Sequence, residues 1–144
     1  MIKHELALGA LYEAFSVALA THGQLWRRLA AEEQSHAEML ESLRADPHVN
    51  RWLHGTGVRV VAIRSSIDYM HSLASRARAG GVSALQAISI AKDMETSLIE
   101  EQFSRMTPAW SPSAGSLIAQ LVSETERHRL SMLEALEVER RGGI

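Results

Sequence analysis

The stretch LWRRLAAEEQSHAEML, residues 25–40, decides the fold class of this chain. Apolar residues recur in it at steps of three and four, and Glu33 and His36 lie on the same stripe. Such steps place side chains on one face of an α-helix. The stretch therefore predicts an amphipathic helix whose buried face is interrupted by a carboxylate and an imidazole.

Helical periodicity continues on both sides of this stretch, and we expect an all-α protein. The first helix is predicted over Lys3–Thr21, with Gly23 as its C-terminal stop. The second helix follows almost at once and ends at Asp46-Pro47, because proline cannot continue the hydrogen-bond ladder. A connection this short makes the two helices antiparallel neighbours.

A long crossover is predicted next. His48–Gly57 reads as a loop, Val58–Ile63 is a short β-leaning run, and Ser65–Arg78 reads as a short helix closed by Gly80-Gly81. In this reading Ser65-Ser66 marks the helix start.

A second helix pair completes the chain. The capping box Ser83-x-x-Gln86 starts a helix that runs to Pro108. The last helix begins at Ser111-Pro112 and ends at residues 140–143. One long crossover between two antiparallel pairs is the connectivity of ferritin-like four-helix bundles, and we expect residues 1–144 to form one such domain.

Composition excludes several classes of function. A formal net charge of −2 argues against an electrostatic surface for nucleic acid and against a polybasic membrane anchor. The absence of cysteine excludes thiolate zinc sites, iron–sulfur clusters and cysteine nucleophiles. We find neither a signal-peptide pattern nor an apolar run of about 18 residues, and expect a soluble cytoplasmic protein.

Three stretches resemble the rubrerythrin-like branch of the ferritin-like superfamily. Residues 25–40 look like its second helix, AKDMETSLIE at 91–100 like its third, and SETERHRL at 123–130 like its fourth. The resemblance spans nearly the whole chain. It implies a metal-binding protein, with a redox role toward peroxide or dioxygen if it is active, that holds iron or another divalent metal such as manganese or zinc.

The resemblance also implies the metal ligands. Glu33 corresponds to a bridging carboxylate and His36 to a terminal ligand on the second helix. Glu95 matches the third-helix glutamate, and His128 matches the fourth-helix histidine. The spacing of Glu33 and His36 independently places both on one helix face, where they can grip the same ion.

Two expected carboxylates are missing. Thr125 stands three residues before His128, and Gly9 stands where the first-helix glutamate falls. Glu124 could partly substitute for the former, whereas Glu5 and Glu13, one turn to either side of Gly9, are poor replacements by helical phase. We therefore expect the remaining four ligands to hold one ion rather than two.

The resemblance further implies a homodimer and, because there is no Cys₄ iron domain, a separate electron donor for any redox turnover. Neither haem nor an iron–sulfur cluster is expected. The alternative is a metal-free, non-catalytic helical bundle that acts by dimerisation or partner binding, in which the two carboxylates and two histidines form a buried network. Surface or loop roles are predicted for the other histidines: His4, His22, His48, His54 and His71.

Overall fold

The computed structural model describes residues 1–47, 50, 60–99 and 112–142. Within them it contains α-helices and no strand. The five long helices are α1 (Ile2–Ala18), α2 (Gly23–Ser42), α3 (Val60–Arg78), α4 (Ala84–Ser97) and α5 (Pro112–Gly142). The expected all-α class is confirmed, and no helix in the described part of the chain has the length and apolarity needed to cross a membrane.

The turn between α1 and α2 differs from the prediction. The chain leaves helical geometry at Leu19, which is extended (φ −104°, ψ 130°), so α1 is shorter than expected. His22 adopts the left-handed conformation (φ 62°) before α2 begins at Gly23. Gly23 is thus the first residue of a helix and not the stop of the preceding one, because His22 supplies the reversal in chain direction.

The end of α2 lies close to the predicted position. A short 3₁₀ turn, Leu43–Ala45, follows the helix. Asp46 is then extended (φ −79°, ψ 120°), as expected of a residue whose helical conformation is blocked by the ring of Pro47.

Helix α3 is longer than the predicted short helix. It begins at Val60, so the β-leaning residues 60–63 are helical, and Ser66 lies inside the helix instead of capping its start. The run continues a helix that packs on α1, although Val61 itself is 79% exposed. The helix ends in a Schellman motif, in which the amides of Gly80 and Gly81 donate to the carbonyls of Ala77 and Arg76, with Gly80 at φ 79°.

The start of α4 is confirmed. The Ser83 side chain accepts from the Gln86 amide at 3.2 Å, and the Ser83 amide donates to the Gln86 side chain at 3.0 Å. The predicted stop at Pro108 and the cap at Ser111 lie outside the described residues.

The helices from both halves of the chain pack around one shared core. Helix α1 packs on α2 and α3, α4 packs on α5, and α2 contacts α5. Apolar side chains fill most of this interior, and Trp26 packs against Tyr12 and Phe15 with ring centroids 5.5 and 4.9 Å away. Polar side chains interrupt the core at one level, where α1, α2, α4 and α5 each contribute.

Candidate metal centre

The four predicted ligands lie together in the interior. Glu33 and Glu95 are fully buried, and His36 and His128 are 1% exposed. Each lies on the inward stripe of its helix, so the same periodicity that buries the apolar residues also buries these polar ones. Unpaired polar groups are costly to bury, so each of these four side chains is expected to have a polar partner.

Glu33 lies between the two imidazoles. His36 Nδ1 is 3.1 Å from Glu33 Oε2, and His128 Nδ1 is 2.9 Å from Glu33 Oε1 and 3.4 Å from Glu95 Oε1. The two rings stack with centroids 5.2 Å apart. One ligand atom each from Glu33, His36 and His128 lies within 4.8 Å of the other two. Tetrahedral ligand atoms held at about 2.0–2.2 Å from one ion lie about 3.3–3.6 Å apart, so a small inward movement of these side chains would bring the three atoms to one ion.

The outward nitrogens of the two histidines make crossed contacts between α2 and α5. His36 Nε2 donates to Glu124 on α5 at 2.9 Å, and His128 Nε2 donates to Glu32 on α2 at 2.5 Å. Both glutamates stand four residues before the histidine of their own helix. Glu124 therefore orients His36 and does not replace the carboxylate missing beside His128. Sequence reasoning missed Glu32, although its spacing to His36 equals that of Glu124 to His128.

Glu5 belongs to the cluster, contrary to the prediction that its phase makes it a poor replacement. It is fully buried and lies close enough to Glu33 for the two carboxyl groups to hydrogen-bond. A residue four positions before Gly9 differs from it by only about 40° around the helix, so Glu5 faces the same side one turn away. Glu13 is exposed and does not reach the cluster.

Gly9 marks a close approach of α1 to α2. A Cβ atom at this position would lie 3.3 Å from Glu33 Cβ and 3.4 Å from the Ala30 carbonyl oxygen. A side chain as large as glutamate would push the helices apart. The glycine therefore sets the contact distance, while Glu5 provides a carboxylate from the neighbouring turn.

Two hydroxyl groups complete the surroundings. Tyr12, which the sequence analysis did not single out, donates to Glu95 Oε1 at 2.5 Å. It lies seven residues after Glu5, and this two-turn spacing is the signal that could have identified it. Thr125 is buried where a second carboxylate was expected, and its hydroxyl donates to the Leu121 carbonyl at 2.8 Å.

Burial and neighbouring charges together raise the pKa values of three residues in the cluster, so the cluster retains protons. Burial, and then the charge of Glu33, raise the pKa of Glu5 well above its usual range. Burial and the charge of Glu95 raise the pKa of Glu33 to about 7. Burial opposes the charged form of His128, but the carboxylates of Glu33 and Glu95 outweigh it and raise its pKa to about 11. A cation bound here would take the place of these protons.

When the carboxyl groups are ionised, several buried atoms of the cluster have no hydrogen-bond partner among the residues that the structure describes. They are both carboxylate oxygens of Glu5, Oε1 of Glu33, Oε2 of Glu95 and Nδ1 of His128. The last is within ion-pair distance of Glu33 Oε1, but the pair lacks hydrogen-bond alignment. Most are acceptors, and buried acceptors without donors are uncommon in folded proteins. A cation among them would satisfy them together, so the residues present fit a metal ion.

Two of the remaining histidines depart from their predicted surface roles. His4 is buried, and burial followed by the charge of the N-terminal ammonium lowers its pKa to about 4. His22 is partly buried and contacts Glu139 at 2.7 Å. His71 is exposed as predicted, while His48 and His54 lie outside the described residues.

No family model matches the chain, and no curated protein or solved structure matches it significantly.

Proposed function

We propose that the protein binds one divalent cation between α1, α2, α4 and α5, with Glu33, His36 and His128 as its central ligands. Glu95 and Glu5 complete the carboxylate environment. The observation that carries this proposal is the buried group of converging ligand atoms around Glu33. Three buried carboxylates face two imidazoles, so a dication offsets negative charge that only protons otherwise neutralise.

The orientation of the histidines supports the same proposal. Each Nε2 is committed to a carboxylate, Glu124 or Glu32, which leaves each Nδ1 directed toward Glu33. Metal-binding histidines commonly donate their other ring N–H to such a partner, which fixes the tautomer and the ring orientation. Mixed oxygen and nitrogen ligands suit iron, manganese or zinc.

The proposal extends to the architecture and the chemistry. We interpret α1, α2, α4 and α5 as a ferritin-like four-helix bundle with α3 in the crossover, because each of these four helices supplies a side chain to the cluster.

Bound iron or manganese would supply redox chemistry toward peroxide or dioxygen, as the rubrerythrin resemblance implies. The chain's own residues would exclude water and hold protons at Glu5 and Glu33. A homodimer, a separate electron donor and a cytoplasmic location remain predictions.

A metal-free helical module is the competing hypothesis. It is favoured by His36, both of whose ring nitrogens lie at hydrogen-bond distance from a carboxylate. A buried polar network of this kind is stable when its members are paired. Oε2 of Glu95, which has no hydrogen-bond partner among the described residues, argues against it.

Elemental analysis separates the two hypotheses. The protein is produced in media supplemented with iron, manganese or zinc, and metal per chain is measured after gel filtration. We expect about one ion per chain in the wild type, retention in the exposed-histidine control His71→Ala, and loss in Glu33→Gln and His36→Ala. A wild-type protein without stoichiometric metal in all three media would overturn the proposal and favour the helical module.

A further inference from the structure

A cavity of about 350 Å³ lies between α3 and α4, apart from the carboxylate cluster. Helix α3 packs on α1 and α4 packs on α5, which leaves this space between the two pairs. Its volume falls within the range of small-molecule sites. Buried Leu98, one turn after Glu95, lines the cavity and does not belong to the cluster.

The cavity has an apolar wall and a polar contact that is fixed by a hydrogen bond between two of its described lining residues. Ile63, Ile90, Met94 and Leu98 form the wall. The polar contact is Ser66, whose hydroxyl oxygen lies 3.1 Å from Nε2 of His4 and is half-buried. A few placed polar groups in a mostly apolar lining are typical of sites for small organic ligands.

His4 and Asp93 are the lining residues that bear on the net charge of a ligand in the cavity. His4 is 5% exposed, and its Nε2 contacts the hydroxyl group of Ser66, which carries no charge. Asp93 lines the cavity with a side chain that is 73% exposed. Its carboxylate is paired with Lys92 Nζ at 2.9 Å. The described lining thus offers no unpaired cation to hold an anion, while the polar contact offers a neutral hydrogen-bonding group.

We propose that this cavity binds a small, uncharged and mainly apolar molecule through one hydroxyl group hydrogen-bonded to Ser66. His4 holds the Ser66 hydroxyl in place, and the apolar wall covers the body of the ligand. Phenol has this chemistry and serves as the probe. Binding in the cavity needs no metal ion, so its success or failure is independent of the cation site.

The test is a titration of the metal-free chain, residues 1–144, with phenol, toluene and benzoate, monitored by the methyl NMR shifts of Ile63, Ile90 and Met94. We expect phenol to bind in about the millimolar range, toluene about 3- to 10-fold more weakly for lack of one hydrogen bond, and benzoate more weakly still. Equal binding of phenol and toluene, a preference for benzoate, or no binding of any probe would overturn the proposal.

Variants locate the binding and identify its polar contact. Ser66→Ala should lower phenol affinity about 3- to 10-fold and leave toluene unchanged, whereas Ser89→Ala, on α4 outside the lining, should change neither. Ile90→Phe fills the space and should abolish phenol binding, and Leu117→Phe on α5 is its matched control. Phenol binding that survives Ile90→Phe places the ligand elsewhere and refutes the assignment.

Discussion

The α2 and α5 sides of the cluster share a scaffold but differ in one inner group. Helix α2 presents Glu32-Glu33-x-x-His36, and α5 presents Glu124-Thr125-x-x-His128. Both sides keep the outward glutamate that orients the opposite histidine. Only α2 keeps the inner carboxylate, and both Nδ1 atoms converge on it. The geometry for orienting two histidines is thus present on both sides, while the inner carboxylate is present on only one.

Restoring the missing carboxylate tests this difference most directly. In Thr125→Glu the new side chain lies three residues before His128 on the inward face, as Glu33 does before His36. We expect metal content to rise from about one to about two ions per chain. Without metal, the additional buried charge should lower the free energy of unfolding by about 3 kcal/mol in urea titrations.

Thr125→Gln is the matched control, since it adds nearly the same volume without charge. It should leave metal content at about one ion per chain. If Thr125→Glu also holds one ion, the two sides differ in more than the inner carboxylate, and the comparison fails.

The predicted cluster shows what helical periodicity can determine. The positions of Glu33, His36, Glu95 and His128 follow from which residues share the apolar stripe of each helix. Glu5 was misjudged although its four-residue spacing to Gly9 places both on one face of α1, and which of the two turns lies beside Glu33 depends on how far α1 is displaced along α2. Contact at Gly9 sets that displacement, and no local pattern encodes it.

The crossed contacts and the extent of α3 escaped prediction for similar reasons. The pairing of Glu32 with His128 depends on the register between α2 and α5, which a single helix does not specify. Residues 60–63 are β-branched and alanine, and their local strand preference did not reveal that they continue a helix whose later, buried residues, such as Met70 and Leu73, anchor it in the core. Sequence thus predicted faces and helix ends where caps or proline act locally, but not offsets between helices.

The pH dependence of the stability of the metal-free protein should be determined mainly by His128 on α5. His128 has a folded pKa of about 11 against an ordinary value of 6.5, so its stabilisation is complete below pH 6.5 and is lost as pH rises toward 11. The raised pKa of Glu33 acts in the same direction between pH 4.5 and about 7. The free energy of unfolding should therefore fall by about 3 kcal/mol between pH 6.5 and 9.

Urea titrations of chelator-treated protein at several pH values measure this slope. His128→Gln should flatten it above pH 6.5, while the exposed-histidine control His71→Gln should retain it. A wild-type protein whose stability rises over this range would show that His128 is not held protonated by Glu33 and Glu95.

Substitution of Glu32 or Glu124, which contact the outward histidine nitrogens, is expected to have the smallest effect on metal binding. These two substitutions also compare the α2 and α5 sides in the most detail. Glu124→Gln weakens the acceptor of His36, and Glu32→Gln weakens that of His128, so each should reduce metal affinity about 10-fold in competition with a chelator. Glu38→Gln, an exposed change on α2, should have no effect. Equal losses mean that both histidines bind the ion. A loss confined to Glu124→Gln would instead assign the cation to Glu33 and His36, and would leave His128 as a charge partner of Glu33 and not a ligand.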